Sequence, residues 1–285
     1  MAGEVRHGDC LKVAHGLATE SVDLVYVDPP FFTQKTHSLI TRDRATKFEF
    51  SDEWKSCSEY IEFLRVRLKE FRRVLKSTGS LFFHCDTNAS HHIRCLLDEV
   101  FGEAMFRSEI VWRYRRWSNS QRNPLPSHQT IFFYSKTDNY KYHQLFDDYS
   151  PATNVDQILQ RRQRDEHGKA VYARDENGNV VYDGHKKGVP IADVWDIPLL
   201  NPKAKERVGY PTQKPILLLE RIISLVTSLG DFILDPFSGS GTALVAAELL
   251  GRNSLGIDVS SEAVQLETAF SRTSQNVVRT ATQRP

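Results

Sequence analysis

Long apolar runs are missing from this sequence, and so is any excess of charge of one sign. No stretch approaches the roughly 18 to 20 uncharged apolar residues needed to span a membrane, and Met1 to Asp9 carries no apolar leader core, so an intracellular protein is expected. Basic and acidic residues nearly cancel, 37 against 36, so any polyanion partner must be met by a local cluster of cations rather than by overall charge. Cysteine is scarce. Cys10, Cys57, Cys85 and Cys95 form no C-x-x-C pair, which argues against a disulfide framework or a zinc ribbon and predicts buried free thiols; His84, Cys85, His91 and His92 match no ligand spacing, so no metal is expected. Neither G-x-G-x-x-G nor the Walker glycine-lysine pattern occurs, which disfavours dinucleotide and triphosphate sites.

What the sequence does contain is an alternation of strands and helices. Val22 to Val27 is a short apolar, β-branched run stopped by Asp28-Pro29-Pro30. Tyr60, Ile61, Leu64, Leu68, Phe71, Val74 and Leu75 recur at helical steps, and the pattern predicts a helix closed by Thr78-Gly79 and followed by a strand, Ser80 to Cys85. A helix from about Ala89 to Val100 is predicted next, then strands over Glu109 to Tyr114 and Thr130 to Tyr134. From Asp147 to Arg207 periodicity fades into polar residues and glycines, which reads as an insertion. Regular structure resumes with a helix, Pro215 to Leu229, a strand, Phe232 to Leu234, a glycine-rich turn, a helix, Thr242 to Leu250, a strand, Ser254 to Ile257, and a last helix. No internal repeat stands out. The expected fold is α/β with a largely parallel sheet.

Ligands of open α/β sheets sit beyond the carboxyl ends of strands, so the loops after Val27 and Leu234 are the candidate site. The first, Asp28-Pro29-Pro30-Phe31-Phe32, is stiffened by its prolines and offers a carboxylate and a carbonyl as acceptors for one amine beside a flat apolar ring. The second runs Asp235-Pro236-Phe237-Ser238-Gly239-Ser240-Gly241-Thr242, where glycines let a ligand approach backbone amides. Asp258 ends the next strand, near the interval at which an acid meets ribose hydroxyls. Arg107 to Arg122 holds five arginines interleaved with Trp112, Tyr114 and Trp117, which reads as a phosphate-contacting and stacking surface or as a solvated basic loop; Arg113, Arg115, Arg116 and Arg122 are the candidates for phosphate contact.

These loops resemble the amino-methyltransferases of DNA, whose catalytic motif is Asp/Asn/Ser-Pro-Pro-Tyr/Phe/Trp and whose cofactor loop is commonly Asp-Pro-Phe-x-Gly-Ser-Gly-Thr. Gly8-Asp9-Cys10-Leu11, Arg73-Val74-Leu75-Lys76 with Thr78-Gly79-Ser80, and Pro211-Thr212-Gln213-Lys214-Pro215 are similar to further motifs of that family, so the likeness covers nearly the whole chain. The catalytic loop precedes the cofactor loop, as in the permuted beta class. Phe31 stands where Tyr is commoner, and Tyr210 where His is.

The resemblance implies a Rossmann-like S-adenosylmethionine-dependent methyltransferase fold, a doubly wound mixed sheet with an inserted target-recognition region. Residues 1–146 would form the catalytic half, 147–207 the recognition region and 208–285 the cofactor-binding half. It implies base flipping and methylation of adenine N6 in double-stranded DNA by Asp28, Pro29, Pro30 and Phe31. Cytosine N4 is the alternative, an inactive DNA-binding subunit a further one, and an oxidoreductase lacks its glycine spacing. Cofactor contacts are expected from Asp9, Asp28, Lys214, Asp235, Phe237, Ser238, Gly239, Gly241, Thr242 and Asp258. A cytoplasmic, nucleoid-associated protein of prokaryotic type is expected, without a membrane partner, and a homodimer and a restriction endonuclease partner are left open.

Overall fold

A strand covered on both faces reads as a continuous apolar run, because neither set of alternating side chains meets water. Val22–Val27 is buried at every position, Asp23 included, and lies in the middle of the sheet. The computed structural model describes residues 3–40, 47–116, 122, 124–149, 155–183, 188–201, 204 and 206–267. In chain order it contains β1 (Glu4–His7), α1 (Cys10–His15), β2 (Val22–Val27), β3 (Thr36–Ile40), β4 (Lys47–Ser51), α2 (Cys57–Val74), β5 (Leu75–Cys85), α3 (Ser90–Phe101), β6 (Phe106–Arg113) and β7 (His128–Ser135). Then come β8 (Phe146–Asp147), α4 (Val155–Leu159), β9 (Arg162–Arg164), β10 (Ala170–Tyr172) and β11 (Val189–Pro190). The chain closes with β12 (Val194–Asp196), α5 (Ile216–Val226), β13 (Phe232–Asp235), α6 (Thr242–Leu249) and β14 (Asn253–Asp258), and a further helix opens at Ser261. It divides into two compact units, residues 1–143 with 193–285, and residues 144–192.

In the larger unit an eight-stranded sheet runs β1-β14-β13-β2-β5-β7-β6-β12. It is mixed: β7 is antiparallel to both neighbours, and the other pairs are parallel. β13 and β2 lie side by side with Leu234 opposite Val25, so both strands end at the same edge. From there the sheet continues through β14 on one side and through β5 on the other, which makes the β13–β2 gap the topological switch point.

Helix α2 packs Tyr60, Leu64, Leu68, Phe71 and Val74 into the core and starts at a capping box, in which the Ser56 hydroxyl accepts the Glu59 N–H and Glu59 reaches back to the Lys55 N–H. It stops at Val74, earlier than the sequence pattern suggests, because Leu75 turns to an extended conformation (φ −61°, ψ 136°) and β5 begins there. Gly79 is therefore inside a strand. A Cβ at that position would sit 2.9 Å from Leu75 and 3.1 Å from the Asp23 carbonyl, so close strand packing, and not a helix stop, requires the glycine. Residues 193–198, read from sequence as part of the insertion, supply the edge strand β12; Trp195 is buried and the Trp112 indole N–H donates to the Ile197 carbonyl at 2.8 Å. Of the thiols, Cys10 and Cys85 are buried, whereas Cys95 is exposed on α3, contrary to the expectation for all four. No helix among the described residues is long and apolar enough to cross a membrane.

The smaller unit holds a ten-residue repeat that the sequence reading overlooked. Arg164-Asp165-Glu166-His167-Gly168 and Arg174-Asp175-Glu176-Asn177-Gly178 fold into the same turn, each Asp accepting the N–H groups two and four residues on, each Gly at positive φ (76° and 81°), and each Arg donating to that Gly carbonyl. The turns join short antiparallel segments, β9 with β10 and Arg174 with Val180.

Candidate active site at the sheet switch point

The carboxyl ends of β2 and β13 open into a cavity of about 810 Å³, within the usual size range for small-molecule sites. Its walls include Asp28, Pro29, Pro30 and Phe31 from the first loop and Asp235, Phe237, Ser238, Gly239 and Thr242 from the second. Asp9 and Asp258 line it as well, so all the sequence candidates here except Gly241 face one space. Gly241 lies behind the loop at φ 75°, with its α-carbon against Glu267, where a Cβ would stand 2.8 Å from the Glu267 side chain.

Asp28 is mostly buried. Its Oδ2 accepts from the Lys214 ammonium at 2.5 Å, and its Oδ1 is 3.8 Å from His84 Nδ1. Lys214, expected on the cofactor wall, thus reaches the acid itself, and its Nζ also lies 5.5 Å from the Phe31 ring centroid. Gln213 positions that lysine's segment from behind, accepting the Val208 N–H and donating to the Glu206 carbonyl. His84 is fully buried between the Tyr26 hydroxyl (2.9 Å) and Gln129 Oε1 (2.8 Å). Burial, followed by the Lys214 charge, pushes the imidazole down to about 4, so a neutral ring backs the Asp28 loop at neutral pH.

In the second loop Gly239 adopts φ 53°, and a Cβ there would come 3.0 Å from the Tyr210 ring. The Gly239 N–H donates to Asp258 Oδ2 at 2.9 Å, and the Ser260 N–H to Oδ1 at 2.8 Å, so the acid ending β14 is fixed by backbone donors with lone pairs to spare. Burial raises the Asp258 carboxyl and raises that of Asp235 strongly, the latter opposed by the Phe237 N–H. Ser240 and Thr242 bond to each other through their hydroxyls at 2.9 Å. Asp9 is the N-cap of α1, its Oδ1 accepting from the Leu11 and Lys12 N–H groups and its Oδ2 from Arg67 at 2.5 Å. This is a site that fits a nucleoside with a charged tail: a glycine-opened cradle, a preset carboxylate at the end of β14, and an apolar wall from Phe237 and Phe63, whose centroids are 6.3 Å apart.

Sequence reasoning missed several wall residues. Arg67 is mostly buried, its guanidinium 3.6 Å above the Phe63 ring; the available signal was a charge on the apolar stripe of α2, one turn from Leu64 and Phe71. Tyr210, set aside as a departure, packs against Gly239 on the cavity wall. Asp52 and Trp54 line the opening of the Phe31 loop and gave no periodic signal.

The arginine stretch divides. Arg107 pairs with Asp138 and Arg113 with Asp196, while Arg115, Arg116 and Arg122 are exposed. Trp112 and Tyr114 are buried, so they do not form the outward stacking surface suggested by the sequence; Trp117 lies outside the described residues. Arg116 reaches back over the Tyr114 ring at 5.3 Å.

The DNA methylase family model of the N6/N4 type matches residues 22–269. Among curated proteins, DNA adenine methyltransferase YhdJ of Escherichia coli is 29% identical over 272 residues, covering 93% of this chain and 81% of that protein. Type II methyltransferase M.HinfI of Haemophilus influenzae is 27% identical over 273 residues, covering 88% of this chain but 63% of its own length. Among solved structures, the protein TTHA0409 of Thermus thermophilus complexed with S-adenosyl-L-methionine has a TM-score of 0.58 at 19% identity, over 95% of this chain and 94% of that one. The cytosine-N4-specific PvuII DNA methyltransferase has a TM-score of 0.64 at 16% identity, over 95% and 86%. The fold is that of these methyltransferases, and the chain belongs to the N6/N4 DNA methylase family.

Proposed function

We propose that the chain transfers a methyl group from S-adenosylmethionine to the N6 amine of adenine in duplex DNA. The observation that carries this is the meeting of Asp28 and the Gly239 cradle at one cavity across the β13–β2 switch point. The aspartate form of the Pro-Pro loop and the likeness to named adenine methyltransferases support adenine as the target.

The acceptor amine is conjugated into its ring and stacked in the duplex, so its nucleotide must be flipped into the pocket. Phe31 supplies the stacking face there. With Oδ2 held by Lys214, Asp28 has Oδ1 free to accept one amine hydrogen, and the Pro29 carbonyl accepts the other. Together they draw the nitrogen toward tetrahedral geometry and direct its lone pair at the donor. Positioning supplies much of the rate. When bound, S-adenosylmethionine supplies an electrophilic sulfonium methyl. Asp235, Phe237, Ser238, Gly239 and Thr242 would hold its methionine side, Asp258 its ribose and Asp9 its adenine region, while Gly241 lets the loop pack on Glu267 behind the cradle. Residues 144–192 read the target sequence as a separate compact unit, and Arg115, Arg116 and Arg122 contact phosphates.

Asp28→Ala should bind S-adenosylmethionine like the parent, by calorimetry, and show no methyl transfer to unmodified plasmid. A rate within about tenfold of the parent would refute the role given to Asp28.

A further inference from the structure

The Pro-Pro loop does not hold its own shape beyond Pro30. Phe31 is the first residue after the prolines, and its peptide is gripped on both sides: its N–H donates to Asp52 Oδ1 at 3.0 Å, and its carbonyl accepts from the Trp54 indole at 3.3 Å. The second oxygen of Asp52 accepts the Thr33 hydroxyl at 3.0 Å. The backbones of the two segments also pair, the Gln34 N–H with the Asp52 carbonyl and the Asp52 N–H with the Lys35 carbonyl. Gln34, a non-glycine residue at φ 55°, uses both ends of its amide on the Trp54 backbone. Such a left-handed residue persists only where its surroundings fix it. Asp52 is 2% exposed, so its carboxylate is committed to these donors rather than to solvent.

We propose that Asp52 is a positioning residue for methyl transfer: by accepting the Phe31 N–H while Trp54 donates to the Phe31 carbonyl, it fixes the α-carbon from which the ring that stacks on the flipped base projects. In this role Asp52 acts through the Phe31 backbone. This role rests on the methyl-transfer reading above and deepens it. The physical reason for a carboxylate is its capacity: two oxygens serve one backbone donor and one hydroxyl at once, and with the peptide groups on both sides of the Phe31 α-carbon held, the Cα–Cβ bond keeps its direction into the pocket. A displacement of about 1 Å at a reacting group can cost on the order of 100-fold in rate.

The test compares wild type, Asp52→Ala, Asp52→Asn and Trp54→Phe for S-adenosylmethionine affinity, Tm and methyl transfer to unmodified plasmid. Asp52→Ala should keep the cofactor Kd within about twofold and lose kcat by about 10- to 100-fold. Asp52→Asn, whose carbonyl still accepts the Phe31 N–H and whose amide can donate to Thr33, should recover to within about fivefold of wild type. Trp54→Phe keeps the packing on Tyr60 and Phe63 and should lose about three- to tenfold in kcat, which carries the test if Asp52→Ala fails to fold. Wild-type rates in Asp52→Ala or Trp54→Phe, or equal losses of cofactor affinity and turnover, overturn the role. A wild-type protein that transfers no methyl group overturns the methyl-transfer reading and this role with it, whereas activity in wild type with unchanged variants overturns the role alone.

Discussion

Glu267 is a carboxyl at 1% exposure, beside the Ser238 hydroxyl and packed against the α-carbon of Gly241. Burial, with Asp235 and Asp258 nearby, pushes it up to about 9 from an ordinary value of 4.5. Between those two values the unfolded chain sheds a proton that the folded protein keeps, so folding stability falls as pH rises through that window. Glu267→Gln removes the proton dependence and should raise Tm by about 2 to 4 °C at pH 8 and by clearly less at pH 5. Equal shifts at both values, or a lower Tm at pH 8, would contradict this account of the carboxyl. His84 is the opposite case on the other side of the site. Its folded value, about 4, lies below the ordinary 6.5, so the ring stays neutral while the unfolded chain takes up a proton, and folding stability falls as pH drops from 6.5 toward 4.

At the scale of elements, residues 144–192 form a unit of their own, and exchanging them for the equivalent segment of a relative should change the methylated sequence while leaving the methylated atom unchanged. Mapping methylated sites on plasmid by sequencing would decide this, and an unaltered site would move recognition to another part of the chain. Most of the central elements were legible in the sequence for a simple reason. β2 and β13 are covered on both faces and so read as short, mostly apolar runs, β14 shows Leu255 and Ile257 between small residues, and α2 carries a helical stripe. Boundaries set by tertiary contacts were less visible. Lys76 to Gly79 carries turn-like residues and falls in the register irregularity between the Val22–Leu75 and Leu24–Ser80 pairs, yet the strand runs through it, with the Thr78 and Gly79 carbonyls accepting from the Lys141 and Lys136 N–H groups. The brief β12 was invisible because three residues give no period; its strand character comes from pairing with β6 and from burial of Trp195. The repeated Arg-Asp-Glu-x-Gly turns were present in the sequence but fell inside a segment judged only by its polarity.

At the scale of the whole molecule, the two loops that name the chemistry begin at Asp28 and Asp235, 207 residues apart, and come together only because β13 and β2 are neighbours in the sheet. Their motifs were legible because proline and glycine impose backbone constraints that composition alone exposes. Lys214 on Asp28, Arg67 on Asp9 and Asp52 on Phe31 were not, since each contact depends on how distant segments pack.

The base nitrogen that receives the methyl group decides the assignment. Purified protein incubated with labelled S-adenosylmethionine and unmodified plasmid, followed by mass spectrometry of the digested nucleosides, should yield labelled N6-methyldeoxyadenosine. Label found only in N4-methyldeoxycytidine would contradict the assigned base, and unlabelled DNA from a protein that binds the cofactor would contradict the account altogether.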